Sequence, residues 1–566
     1  MTNKTFSSIT NKLIILLSLS LLFFPYHLAQ AVPDPEGSPS LAWSIEPSGC
    51  EIWSNTFKIY GDYIYLACSD NILGSDYQIR IEKRNKTTGA LVPEFGNAGI
   101  VLENPSNDYD YISSITLDTT GLYLGGSDVI PGNVEWRVEK RDLTTGALIT
   151  GFGTNGVMTE NPSNTTDHLN SITLDASGIY AGGYDSSSSS SWRVEKRDLT
   201  TGALIPTFGT NGIVNENISN SYSEIRSLVL DTAGLYLGGY DYSPGVSDSQ
   251  WRVEKRDLTT GALITGFGTN GVVTVNPSNN QESIRSITID TYGLYLGGDD
   301  YSTGNNQWRI EKRNLTTGAL VTSFGTNGVI TENPSSGHDY IEALTVNETG
   351  LFVTGEEYSL GASNDQWRLE KRDLTTGALD NSFATQGVLS VNLTNEYDEL
   401  YALAIDETGI YLGGTSFDDD WTYHYGTIQK YAFPEDATPP VFTNLPGLTA
   451  PINITQGQSI TTNPFIIQVK PIDNIEVARV EFYVDNNLIC TDTTADSNGV
   501  YSCSWNTARY HSNIRVIAYD TTGNPSIALT RMVTVDPALY IMTLPETGSN
   551  KTNYLTTIIN LIIKIL

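Results

Sequence analysis

The sequence predicts an all-β protein, a seven-bladed β-propeller followed by a small Ig-like β-sandwich. Three observations predict it. A phrase of the type FGTNG begins at Phe95, Phe152, Phe208, Phe267, Phe324 and Phe383, in steps of 56 to 59 residues. A second phrase, WR(V/I/L)EKR, opens at Trp136, Trp192, Trp251, Trp308 and Trp367 in the same rhythm. The 51 Gly and 31 Tyr against 4 Met suit many turns and strands rather than long helices. A fixed period of this length marks a repeat architecture, in which each unit buries its apolar face against its neighbours.

One unit, Ser286 to Gly328, shows why each piece takes its form. SITID alternates and reads as a strand with two faces. The Asp-x-x-Gly steps (Asp175–Gly178, Asp231–Gly234, Asp290–Gly293) read as tight turns, with Asp accepting backbone N–H groups and Gly taking positive φ. They are therefore not read as catalytic carboxylates. LYLGG is the return strand. WRIEKRN alternates again, with Trp, Ile and Lys on one face and Arg, Glu and Arg on the other. The charged face is expected to form ladders, and the Trp residues to pack between blades. After the LTTG turn, ALVTSFG is expected to be the fourth strand. Four antiparallel strands in about 57 residues match one propeller blade. The first three strands recur seven times and the fourth six times. Leu41–Ile45 precedes the first unit with strand character, so it is expected to complete the last blade and close the ring.

The phrases FGTNG, SITLD-x-x-G-LYLGG and RVEKRDLTTGAL resemble the delta-60 repeat family of bacterial surface proteins, whose units are similar to blades of NHL-type propellers. The resemblance covers roughly residues 41–431 of a propeller bounded at 41–433. It implies fold and an exterior location, and no common chemistry. An acidic, Pro-rich linker at 434–443 follows. Residues 444–536 hold short alternating strands such as ARVEFYVD and IRVIAYD, separated by turn signals, which suits a sandwich. They resemble the bacterial Ig-like domains that serve as stalks or spacers on surface proteins.

Residues 1–31 read as a secretory signal, with Lys4 and Lys12 ahead of the apolar run Leu13–Phe24 and a cleavage site at Ala29-Gln30-Ala31. In an exported chain the four cysteines read as disulfides, Cys50–Cys68 and Cys490–Cys503 by local pairing, the second across consecutive strands. No CxxC spacing or adjacent His favours zinc. Leu544, Pro545, Glu546, Thr547 and Gly548 match the LPxTG sorting signal, which sortases cut between Thr and Gly to join the chain to a cell-envelope amine. Sortase and the envelope are thus the implied partners. The apolar tail Tyr554–Leu566 is shorter than the ~20 residues that span a bilayer.

The formal charge of −32 disfavours nucleic acid, whose phosphates need clustered Lys and Arg. The loop after LYLGG carries an acid in each unit: Asp70, Asp128, Asp185, Asp241, Asp300, Glu357 and Asp418. Tyr184, Tyr240, Tyr301 and Tyr358 adjoin them. In a propeller these loops share one end of the ring. Tyr beside Asp can bind sugars by stacking and hydrogen bonds, and the carboxylates can hold Ca²⁺. The plainer alternative is a solvated acidic rim. Beyond Ca²⁺ no cofactor is expected. None of His168, His338, His424 and His511 recurs at the same repeat position, and neither HExxH nor Gly-x-Ser-x-Gly is present. The sequence therefore points to a non-enzymatic cell-surface binding or adhesion protein, its extracellular ligand a glycan or a protein. One alternative is a polysaccharide-acting hydrolase or lyase built on the divergent stretch Phe417–Tyr425, with Asp418, Asp419, Asp420 or His424. The other is a structural coat component.

Overall fold

The computed structural model describes residues 39–536 except 48, 55, 72–76, 107, 131–132, 188–189, 220, 246–247, 359–363, 418–423, 434–438, 474–475 and 507–510. The secretory signal, the LPETG motif and Asp418, Asp419 and Asp420 lie outside the described residues. The chain divides into two compact units after Phe433.

The first unit holds seven antiparallel sheets in chain order. Blade 5 is typical: Ile284–Asp290, Gly293–Asp300, Gln307–Arg313 and Val329–Glu332 pair in sequence from the axis outward. The fourth strand is therefore not ALVTSFG, as the alternation suggested, but the segment after TNG. The same holds for Ile100–Glu103, Val157–Glu160, Ile213–Glu216, Val272–Val275 and Val388–Val391. The reason is backbone geometry. Asn327 takes a φ of 56° and Gly328 one of 94°, so the chain reverses at TNG and only then runs back along the WRIEK strand. ALVTSFG contributes a single bridge, Arg313 to Leu320, and its Phe324 is fully buried.

Ring closure is as expected. Strand Ser40–Ile45 pairs antiparallel with His424–Ala432, placing Leu41 opposite Tyr431 and Ile45 opposite Ile428. Blade 7 then meets blade 1, where Phe57 and Leu66 pack with Ala402 and Ile428. Lys86 pairs with Asp406 across this seam at 2.9 Å.

Apolar layers fill the spaces between blades. Trp136, Val138 and Phe152 of blade 2, for example, pack with Leu169 and Ile172 of blade 3. Trp136, Trp192 and Trp251 each donate Nε1–H to a carbonyl of the next blade, at 3.3, 3.1 and 3.0 Å. Lys140, Lys196, Lys255 and Lys312 donate to Leu carbonyls of the next LTTG turn, at 2.8, 2.7, 2.9 and 2.7 Å.

The charged face of the same strand forms the expected ladder. Glu139, wholly buried, accepts from Arg137 at 2.5 Å and Arg141 at 2.6 Å. Arg141 Nη1 also donates to the carbonyl of Gly146 at 2.9 Å. A buried ion is tolerable only when paired and hydrogen-bonded, so these residues function as a set.

The second unit is a sandwich. Val441–Thr443, Phe465–Ile472 and Tyr501–Trp505 make one sheet. Ser459–Ile460, Leu529–Val535, His511–Asp520, Val477–Val484 and Asn487–Asp492 make the other. Ile467, Val469, Phe482, Trp505 and Val516 lie in its core. Val441–Thr443 falls within the segment read as linker, so the sandwich begins earlier than 444. Both expected disulfides are present, with Cα separations of 5.5 Å for Cys50–Cys68 and 6.3 Å for Cys490–Cys503. The second does not staple neighbouring strands of one sheet. Its two strands are consecutive in the chain but belong to opposite sheets, so it joins the layers.

Candidate functional site

The acids after LYLGG are not offered to solvent. Asp128, Asp185, Asp241, Asp300 and Glu357 are at most 5 % exposed, because the first Arg of the WR-E-KR strand, diagonal to each in the register, reaches it. Asp128 lies 2.8 Å from Arg137, Asp185 3.4 Å from Arg193, and Asp241 3.6 Å from Arg252. Asp300 lies 3.0 Å from Arg309 and Glu357 2.6 Å from Arg368, while Asp70 is 3.6 Å from Arg80. They extend the buried ladder. Burial still pushes the Asp128 carboxyl up to about 6 against the pull of Arg137. Among the described residues, no group of three or more His, Cys, Asp or Glu is placed to hold a metal ion.

Blade 7 explains the missing seventh acid. Its position in register is Ser416, not Asp418, and the matching strand carries Thr427, Gln429 and Tyr431 where other blades carry Arg, Glu and Arg. Tyr431 donates to Gln429 at 2.8 Å, a neutral version of the same ladder.

The tyrosines divide. Tyr184 is buried against His168 and Tyr222, with centroids at 5.1 and 5.7 Å. Half-buried Tyr240 donates to Glu224 at 2.7 Å. Tyr301 stacks on His338 at 5.9 Å, and Tyr358 meets Tyr397 edge-on at 6.0 Å.

The chemistry that breaks the repeat lies along the axis. On the innermost strand of blades 2 to 7 the register slips, between Ile284 and Ser286 in blade 5 for example. A bulge of this kind re-aims one side chain. Here the extra residues are Ser113, Asn170, Arg226, Arg285, Glu342 and Tyr401, and all line an axial channel of about 790 Å³. Further along the innermost strands, that of blade 1 included, Lys58, Thr116, Thr173, Val229, Thr288 and Thr345 form a second layer of its wall. They share one register position, each opposite an aromatic residue such as Tyr65, Tyr123 or Tyr295.

At the mouth, Arg226 Nε lies 3.2 Å from Glu224. Arg285 reaches Asp299 and Glu342, each at 3.0 Å. Tyr401 donates to Glu399 at 2.6 Å. A side cavity of about 510 Å³ is bounded by Arg226, Tyr240, Arg285, Tyr301, His338 and Tyr340. On the blade 6 side Glu356 is 6 % exposed, and its Oε2 has no hydrogen-bond partner. Burial, with Glu342, Glu399 and Asp365 close by, holds its carboxyl well above the usual range. Burial likewise raises Glu342 and Glu399, and pushes Asp365 up to about 7. His424 contacts Glu51 at 3.3 Å, so that part of the divergent stretch does reach a carboxylate.

Sequence reasoning missed Lys58, Arg226, Arg285, Glu342, Glu356 and Tyr401. For Arg226, Arg285, Glu342 and Tyr401 the available signal was variation among repeats at one position, the residue between Ile or Leu and Ser or Ala.

Residues 449–527 match the bacterial Ig domain family. No curated protein matches the chain in sequence. Among solved structures, the chain is similar to the β-propeller domain of the Trilobed protease from Pyrococcus furiosus, at 8% identity and TM-score 0.35, over 64% of this chain and 91% of that one. It is similar to sucrose-6-phosphate hydrolase from Lactobacillus gasseri at 12% identity and TM-score 0.29, over 69% and 93%. Fibronectin(III)-like modules of Clostridium thermocellum CbhA align at 20% identity and TM-score 0.13, over 15% and 93%. The Ig domain and the two disulfides point to the outside of the cell. The chain thus joins a propeller unit of seven blades, six four-stranded and the first five-stranded through the added Cys50–Glu51, to a domain that matches the bacterial Ig family.

Proposed function

We propose that this is a non-enzymatic extracellular binding protein whose ligand docks in the axial channel of the propeller and at its mouth. In this reading the Ig domain is a spacer, and sortase joins the chain to the envelope at Thr547. The observation that carries it is the contrast between frame and lining. Positions that build blades repeat nearly unchanged, as in Glu195, Glu254, Glu311 and Glu370. The bulge residues that face the channel, Ser113, Asn170, Arg226, Arg285, Glu342 and Tyr401, differ in every blade but the two with arginine. Packing needs sevenfold regularity, whereas recognition of one ligand needs an asymmetric wall with a few placed polar groups.

The test is a glycan and protein binding screen with the mature chain, followed by Arg226→Ala and Tyr401→Ala. Ligand capture that both variants weaken supports the reading. Capture that neither changes refutes the location. A second reading, hydrolysis of a polysaccharide, is favoured by Glu342, Glu356 and Glu399, acids off the repeat that hold protons unusually tightly. Release of reducing ends from a bound glycan, lost in Glu399→Gln, would favour it over binding alone.

A further inference from the structure

We infer that the channel layer around Lys58 binds a sugar acid, a hydroxyl-bearing ring that carries one carboxylate; this rests on the channel being the ligand site. In four of the other blades the position of Lys58 holds a threonine: Thr116, Thr173, Thr288 and Thr345. It holds Val229 in blade 4 and Ala404 in blade 7. Lys58 is thus a single cation in a layer of hydroxyls, all lining the same cavity of about 790 Å³. Among the described residues Lys58 makes neither an ion pair nor a hydrogen bond, and the four threonine hydroxyls make none either. Every other lysine position on the propeller strands behaves differently. Lys83, Lys140, Lys196, Lys255 and Lys312, for instance, each donate to a carbonyl across the blade seam.

Lys58 is open to solvent in the lumen, but the channel wall around it crowds out part of that solvent and pushes its pKa down, a cost to the ammonium that no counter-charge offsets. An anion arriving there regains that cost. The hydroxyls narrow its class. Each threonine offers a donor and acceptor to a ligand oxygen, on several sides of the lumen at once. The cavity falls in the range of small-molecule sites, roughly 300–1,000 Å³, so a simple oxyanion resting on Lys58 would leave most of the layer unmet. A sugar ring spans such a layer and places its own hydroxyls against it. A single carboxylate also suits the surroundings better than a multiply charged group. Glu51 lines the same channel and repels further negative charge, while Arg285 is already paired with Glu342.

The experiment is calorimetric titration of the mature chain with a galacturonic acid trimer, sialyllactose, lactose and inorganic phosphate. The two acidic saccharides distinguish a uronate from a sialic acid as the source of the carboxylate. Lys58→Thr recreates the residue of the neighbouring blades and so should fold, and Thr288→Val copies blade 4. At least one acidic saccharide is expected to bind, with lactose and phosphate weaker by about tenfold or more, as expected for loss of a charge-assisted contact. Lys58→Thr should lose about tenfold or more, while Lys58→Arg should stay within about threefold of the parent. Thr288→Val should weaken the saccharide and leave phosphate unchanged. Equal binding of lactose or phosphate, an unaltered affinity in Lys58→Thr, or no binding of either acidic saccharide would overturn the inference. If a different ligand from the screen is lost in Arg226→Ala and Tyr401→Ala but kept in Lys58→Thr, the sugar-acid site fails while the channel remains the binding site.

Discussion

Asp365 offers a direct reading of how the acidic side of the mouth is held. It has no exposed surface, and its Oδ2 has no hydrogen-bond partner. Its Oδ1 accepts the backbone N–H of Asp398. Burial, with Glu399 and Asp398 adding to it, raises its pKa from the ordinary 3.8 to about 7. The folded protein therefore keeps a proton there that the unfolded chain releases. Stability from this group is fully present below pH 3.8 and is lost as pH rises through 7. A shift of about three units at 1.36 kcal/mol each makes the loss on the order of 4 kcal/mol by pH 8. Asp365→Asn keeps an oxygen for the Asp398 N–H and removes the charge. The variant should match the parent near pH 4 and exceed it increasingly toward pH 8. It should also relieve Glu356, which Asp365 repels. Thermal melting followed by tryptophan fluorescence, at half-unit steps from pH 4 to 8, reads the difference. At about 2 °C or less per kcal/mol for a protein this large, the gap at pH 8 should be several degrees. Parallel melting curves for parent and variant across that range would refute the reasoning.

Four further outcomes are expected. Glu254→Gln leaves Arg252 and Arg256 buried without their shared carboxylate and should cost about 3–5 kcal/mol in chemical denaturation. Changing the whole set to the blade 7 version, with Asp241→Ser, Arg252→Thr, Glu254→Gln and Arg256→Tyr, should cost less than the single change. Replacing Cys50 and Cys68 by Ser opens a link of sequence separation 18 and should lower stability by about 3 kcal/mol in the same assay. Deleting residues 39–46 uncovers the edge of His424–Ala432, so limited proteolysis should cut blade 7 first while blades 3 to 5 persist.

The frame was legible because its repeats carry it. Trp251, Glu254 and Lys255 alternate in a way that only a two-faced strand satisfies, and Leu41–Ile45 was the one strand left to complete a seventh triplet. The fourth strand was misplaced because LVTSF also alternates. What decides is the left-handed backbone at Asn327, which an Asn-Gly pair permits but does not announce. The acids were misread because period two does not reveal whether Asp300 faces water or Arg309. The clue was their joint loss in blade 7, where Thr427 and Gln429 replace both partners of the ladder. The channel wall was hidden by the bulge, which shifts the alternation by one residue and sends Arg285 inward where a regular strand would not. Lys58 could have been singled out only by aligning it with Thr116 and Thr288, and the first blade departs most from the repeat.

The seam between Ser40–Ile45 and His424–Ala432 also sets an order of events. Ser44 and Gln429, which meet there, are 385 residues apart, so the first strand of the ring waits for the last. Joining ends that distant costs only about 2 kcal/mol more than closing a loop one repeat long, because the penalty grows with the logarithm of length. The delay is a matter of time rather than of equilibrium. Until the chain has been delivered through residue 432, every partly finished molecule carries a strand without a partner and a ring with two open ends. A chain that stops early, or is clipped before its final blade, can never hide them. Closure therefore serves as a proof of completeness, one that separates whole molecules from fragments by their exposed edges.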